Sequence, residues 1–125
     1  MLIYISGAIA NDPDYKRKFV EAEKYLTKKG HDVINPAFVS SVLPELKHEQ
    51  YLHIDKTLID ICDAVYFLKD WGSSEGAREE YNHVNYVNEK WRELERERAC
   101  RLGGILIDIK DKIKLVFEGD NEDEL

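Results

Sequence analysis

Apolar positions along this chain switch between two periods. Leu2-Ile3-Tyr4-Ile5-Ser6 and Asp63-Ala64-Val65-Tyr66-Phe67-Leu68 are near-continuous apolar runs, the pattern of strands covered on both faces of a parallel sheet, and His31-Asp32-Val33-Ile34 is a shorter run of the same kind. Between them the period lengthens. Phe19, Ala22, Tyr25 and Leu26 predict a helix of about four turns, opened by Asp12 as cap with Pro13 at its first position and closed by Gly30. A second helix is predicted over 49–61, with Leu52, Leu58, Ile59 and Ile61 among its buried candidates. A long third helix runs from Ser73 or Ser74 to about Arg101, where Ala77, Tyr81, Val84, Val87, Trp91 and Leu94 recur every three or four residues. Its distal half carries Glu93/Arg96 and Glu97/Arg101, spaced to pair on the helix surface. Gly103-Gly104 ends it, and 105–109 and 113–117 read as two closing strands. Asn35-Pro36 cuts off the second strand, and the loop after it runs to about Leu46, a length more often functional than idle.

Alternation of strand and helix predicts an α/β fold: a single-domain Rossmann/flavodoxin-like parallel sheet of order about 2-1-3-4, plus a closing strand, with helices on both faces. In that order the topological switch lies between the first and third strands, and ligands bind there, outside the carboxyl ends. Two small-residue turns fall at that edge: Ser6-Gly7-Ala8, and Trp71-Gly72-Ser73-Ser74-Glu75-Gly76, which opens the long helix carrying Glu79 and Glu80.

Composition narrows the class. A chain of 125 residues without repeats is one domain, expected over 1–117. Five of its seven net negative charges sit in Glu118, Asp120, Glu122, Asp123 and Glu124, so 118–125 is expected to be an acidic disordered tail and 1–117 carries only −2. A nearly neutral body argues against a nucleic-acid polymer as partner. With no run near the ~20 apolar residues a span needs and no leader-like start, a membrane is not expected and the cytoplasm is. Cys62 and Cys100 form no Cys-x-x-Cys and read as reduced structural thiols.

Each candidate residue carries a plain reading beside a functional one. Gly7 and Gly76 serve equally as tight-turn residues, since neither Gly-x-Gly-x-x-Gly nor a Walker loop is present. Ser73 and Ser74 are helix caps or ligand contacts. Glu79 and Glu80 are ordinary first-turn acids favoured by the helix dipole, except that Glu80, three residues from Ala77 and four from Val84, turns towards the buried stripe, whereas Glu79 points further out. A carboxylate on the core side of a cleft helix costs desolvation unless paired or used. Asp55 or Asp63 is the candidate second acid, with Asp63 better explained as the end of the helix-strand turn. His48, His53 and His83 lack metal-ligand spacing, so no metal and no cofactor is expected. Trp71, Phe38 and Tyr4 are candidates to stack on a planar ligand; Trp71 is best placed, with core packing as its other role.

Leu2 to Ile9, Val33-Ile34-Asn35-Pro36-Ala37, Cys62 to Leu68 and Trp71 to Tyr81 together resemble the nucleoside 2-deoxyribosyltransferase-like superfamily, nearest its small bacterial and phage branch and related to deoxynucleoside 5′-monophosphate N-glycosidases. The resemblance covers residues 1 to about 88; the long charged helix beyond departs from it. It implies that Glu80, placed by its spacing from Ser74 and Gly76, attacks the sugar C1′, that Asp55 helps protonate the departing base, and that Tyr4 orients the nucleophile. It implies that the backbone of Gly7, Ala8 and Ile9, with Ser74, holds the sugar 5′ end or its phosphate; the arginine that relatives acting on monophosphates often carry just after this turn is Ala10 here. Ser6, Trp71, Ser73 and Gly76 complete the expected substrate-binding set. It further implies a homo-oligomer, with Tyr86, Trp91 and Leu94 as interface anchors.

The chemistry suits these residue types. Cleaving an N-glycosidic bond passes through an oxocarbenium-like state that a carboxylate beneath C1′ stabilises and captures, while a second acid protonates the base. The expected activity is therefore cleavage of a nucleoside or nucleoside monophosphate through a glycosyl-glutamate, with transfer to water or another base. The alternative is a non-catalytic module binding a nucleotide or nucleotide-like signal in the same crevice, and a third reading makes the charged 89–101 helix a partner contact.

Overall fold

The computed structural model describes residues 1–104 and 109–125. Four strands, β1 (Leu2–Ser6), β2 (Asp32–Ile34), β3 (Ala64–Phe67) and β4 (Lys114–Phe117), form an all-parallel sheet in the order β2-β1-β3-β4. Tyr4 of β1 lies opposite Ile34 on one side and Val65 on the other, and Phe67 of β3 opposite Phe117 of β4. The edge strand next to β3 is thus the second of the two closing segments expected. The first, 105–109, falls almost wholly outside the described residues, and Ile109 itself is not in a strand.

Alternation along β1 divides the core. Ile3 and Ile5 face the helix α1 (Tyr15–Lys28), packing with Phe19, Ala22 and Leu26; Tyr4 faces α3 (His48–Asp60) and α4 (Glu75–Arg101), among Ile59, Val65, Phe67 and Val84. Helices therefore cover both faces, as parallel strands require. His83 of α4 bonds Asp60 of α3 at 2.6 Å, tying the two helices on the Tyr4 face.

Local chemistry moves several expected boundaries. The first helix starts at Tyr15, not Pro13, because Asp12 accepts the Asp14 N–H at 2.9 Å and spends its carboxylate in a turn ahead of the helix. The loop expected after Pro36 contains a helix, α2 (Pro36–Ser41), nucleated by Asn35 accepting from Ala37 N–H at 3.0 Å with proline at the first position. On the distal part of α4, Glu93 pairs with Lys90 and Glu95 with Arg98, in place of the two pairs expected from spacing.

The acidic end is ordered against the sheet instead of disordered. Asn121 accepts the Phe117 N–H at 2.8 Å and donates to the Leu115 carbonyl at 2.9 Å, Glu122–Glu124 make a single 3-10 turn, and Leu125 packs with the α1-side core that contains Val116. Charge density alone argued for disorder, but one capping amide and one apolar anchor reverse it.

Gly7 is required by a close approach. A Cβ there would sit 2.8 Å from Cδ1 and 3.1 Å from Cβ and Cγ of the buried Leu68, so glycine lets the turn after β1 pack directly on that side chain. The buried stripe of α4 is Ala77, Glu80, Val84 and Asn88, two polar residues among four. Asn88 answers its own burial: its Nδ2 donates to the Ile113 carbonyl and its Oδ1 accepts the Ile113 N–H, both at 2.9 Å, clamping the approach to β4 onto α4. Asn88→Ala orphans both backbone groups and is expected to cost about 3 kcal/mol, read as a lower urea midpoint with unchanged m-value.

Candidate active site

Beyond the carboxyl ends of β1 and β3 lies a cleft of about 780 Å³, within the size range of small-molecule sites. Its walls come from the turn after β1, from α2, from the first two turns of α3 and from the amino end of α4. The topological switch between β1 and β3 puts it there.

Glu80 lies at its base, 5% exposed. Burial follows from its place on the α4 stripe, and two strand side chains answer for it. The Tyr4 hydroxyl donates to Oε2 at 2.5 Å and the Ser6 hydroxyl to Oε1 at 2.8 Å. Residues 4 and 6 present these hydroxyls to the same face of the sheet because strand side chains alternate. Asp55, on the facing wall of α3, interacts with the same Tyr4 hydroxyl. Burial pushes the Glu80 carboxyl up to about 8; the Tyr4 and Ser6 hydrogen bonds oppose this, and the Asp55 charge adds to it. Burial also lifts Asp55 to about 6, against the pull of Tyr4 and of the His48 charge. Tyr4 is held well above its ordinary value by burial first and then by the two carboxylates. Three titratable groups thus share one low-dielectric site, and their protons belong to the set.

Not every expected residue reaches the cleft. Gly7, Ile9, Ser73, Ser74 and Gly76 line it with Tyr4, Asp55 and Glu80. Ser6 is fully buried behind the wall and serves Glu80. Ala8 is also buried, and its N–H is directed to Asp70 Oδ1 at 3.3 Å. Trp71 is off the wall: it packs on Phe67, Tyr81 and Phe117, with centroids 5.3, 4.9 and 5.8 Å away, because the 3-10 turn after β3 folds its ring back over the sheet. Ser74 caps α4, its Oγ accepting the Ala77 N–H at 3.2 Å and its carbonyl the Arg78 N–H, which leaves the N–H groups of Glu75 and Gly76 at a helix end on the cleft wall. Asp63 stands at the other end of β3, accepting the Leu2 N–H at 2.8 Å, so of the two candidate second acids only Asp55 is near Glu80.

Some lining residues were not singled out from the sequence. Tyr15 and Lys16 open α1, Ser40 and Ser41 close α2, and Tyr51 and Leu52 extend the wall between His48 and Asp55. His48, Leu52 and Asp55 sit at i, i+4 and i+7, a shared helix face visible in the sequence once Asp55 is chosen. Beside His48, Glu79 Oε2 is buried without a hydrogen-bond partner among the described residues, with His48 Nε2 3.9 Å away. A second groove of about 580 Å³ lies between α1 and the ends of β3 and β4, but its Arg17 and Lys18 are already engaged by Asp14, Glu21, Asp12 and Asp70.

The family model described as "Domain of unknown function (DUF4406)" matches residues 1–90, which hold the whole cleft and all but the last quarter or so of the chain. No curated protein and no solved structure matches.

Raised carboxyl values set the pH dependence of stability. Between the ordinary 4.5 of Glu80 and about 8, the folded protein keeps a proton that the unfolded chain has released, so this contribution is full at the acid end and is lost as pH rises. Asp55 acts with the same sign between 3.8 and about 6. The unfolding free energy of the wild type, from urea titrations, is expected to fall from pH 5 to pH 8 relative to Glu80→Gln, by up to about 1.4 kcal/mol per pH unit. A difference between the two proteins that stays constant with pH would show Glu80 to be ionised when folded.

Proposed function

We propose that this chain, which belongs to that family of domains of unknown function, cleaves the N-glycosidic bond of a nucleoside or nucleoside monophosphate, passing the sugar to water or to another base. One observation carries the reading: a buried glutamate held by two hydroxyls from the neighbouring strand, with a second carboxyl, Asp55, lining the same cleft, at the ligand edge of a parallel sheet. The sequence resemblance to nucleoside 2-deoxyribosyltransferase-like proteins supports the same assignment of roles.

In this mechanism one oxygen of Glu80 attacks C1′ as the bond to the base breaks, and its electron pair forms a glycosyl ester. The base leaves with a proton from Asp55. The acceptor then attacks C1′, gives a proton back to Asp55, and frees the Glu80 carboxylate. The raised value of Glu80 requires its proton to be elsewhere before attack. The Tyr4 hydroxyl, which donates to Glu80 Oε2 in the resting site, offers the route by turning its proton towards Asp55: it gives that proton to Asp55 as it takes the one on Glu80. Charge then sits on the group that attacks and the proton on the group that donates. Gly7, Ile9 and the amino end of α4 form the wall against which the sugar and its 5′ substituent lie. A homo-oligomer belongs to the same proposal, with Tyr86 and Leu94, each 59% exposed on α4, as contacts.

Incubating the protein with mixed nucleosides and nucleoside monophosphates, with and without a free base, and separating the products by chromatography tests the reading. Wild-type protein is expected to release or exchange a base, and Glu80→Gln to lose at least about 10³-fold in turnover while remaining folded by circular dichroism. Asp55→Asn is expected to lose most on the poorest leaving bases. Undiminished activity in Glu80→Gln would overturn the nucleophile assignment, and saturable binding without product would favour a non-catalytic ligand-binding module.

A further inference from the structure

The turn after β1 forms one wall of the cleft, yet the eight residues from Gly7 to Asp14 contain neither helix nor strand, and Asn11 takes a left-handed φ of 65°. Loops of this kind hold a shape only if something outside them does the holding. Here two side chains from outside the loop meet it, Asp70 from the neighbouring strand end and Lys18 from α1. Asp70, three residues beyond β3, points its Oδ1 at the Ala8 N–H at 3.3 Å and pairs through Oδ2 with Lys18 Nζ at 3.2 Å. Lys18 in turn reaches Asp12 Oδ2 at 2.8 Å, and Asp12 Oδ1 accepts the Asp14 N–H at the mouth of α1. The backbone of Asp70 does the same service for the other wall: its carbonyl accepts the Ser73 N–H at 3.0 Å and the Ser73 hydroxyl at 2.7 Å. Both ligand-facing turns therefore meet at Asp70, while Asp70, Lys18 and Asp12 themselves stay out of the cleft.

We infer that Asp70, braced by Lys18, is a positioning residue that sets the Gly7 to Asn11 wall of the cleft against the Ser73 to Gly76 wall. The inference rests on the proposed function for its kinetic test. Removing the carboxylate frees the Ala8 N–H and leaves Lys18 with Asp12 alone, so the wall loosens. Glu80 is untouched, because its donors Tyr4 and Ser6 lie on β1 itself. Binding and chemistry then separate: loss of Asp70 weakens ligand affinity and leaves the bond-breaking step nearly intact.

The test compares Asp70→Ala, Asp70→Asn and Lys18→Met with wild type on whichever nucleoside or monophosphate turns over. Asp70→Ala is expected to raise KM about tenfold with kcat within about twofold, the pattern of lost uniform binding. Asp70→Asn keeps an acceptor for Ala8 and is expected to recover most of the loss, with Lys18→Met in between. A general loss of folded protein would lower kcat and leave KM alone. That outcome, or no change in either, overturns the inference. A second readout needs no turnover: the Ala8 amide is expected to be protected from hydrogen exchange in wild type and in Asp70→Asn, which both offer it an acceptor, and to lose that protection in Asp70→Ala. Absence of turnover in wild type would remove the proposed function, and the Ala8 amide would still decide whether Asp70 holds the wall; Ala8 protection indifferent to Asp70→Ala overturns the inference in either case.

Discussion

A carboxylate on the buried stripe of a helix is tolerable only where the surface beneath it supplies donors, and β1 supplies two. Tyr4 and Ser6 point at Glu80 from alternate positions of one strand, so the contact that satisfies the carboxylate also fixes how α4 seats on the sheet. With the amino end of α4 fixed, the cleft above it follows, because Ser74 caps that helix and Ser73 to Gly76 form one of its walls. Removing those donors would leave a buried carboxyl with unsatisfied oxygens, which costs more than the hydrogen bonds themselves are worth.

Asn88, two turns further along the same stripe, solves the same problem differently. A neutral amide matched to one backbone N–H and one backbone carbonyl is fully satisfied and has no proton to exchange in the neutral range. Glu80 is satisfied by hydroxyls and held near neutrality by burial and a second acid, an arrangement that stores a mobile proton. Both residues are buried and bonded, but only one is ionisable. The distinction lies in the side chain, not in its depth.

Much of the fold was legible in the chain. The three apolar runs, the helical spacing and the order of elements pointed to a parallel sheet of order 2-1-3-4, and the stripe from Ala77 through Val84 pointed to the burial of Glu80 ahead of Glu79. Where the reading slipped, a particular side chain explains it. Asn35 turned an expected loop into α2, and Asn121 with Leu125 pinned a tail whose charges argued for disorder. Trp71 sits at the cleft edge in sequence but stacks into an aromatic cluster in space.

What the sequence determined by itself was whatever period and punctuation encode: which segments are strands or helices, which face each buries, and therefore that the two glycine turns and Glu80 would meet at one edge. What only the tertiary structure decided was how polar groups at that edge are shared out. Tyr4 and Glu80 are 76 residues apart in the chain, and Ala8 and Asp70 are 62. Whether an N–H near the cleft is free or already bound to a carboxylate, and which of two aspartates stands beside the glutamate, depends on distances between elements. Local pattern carries no information about those distances, because they are set by how the helices pack on the sheet.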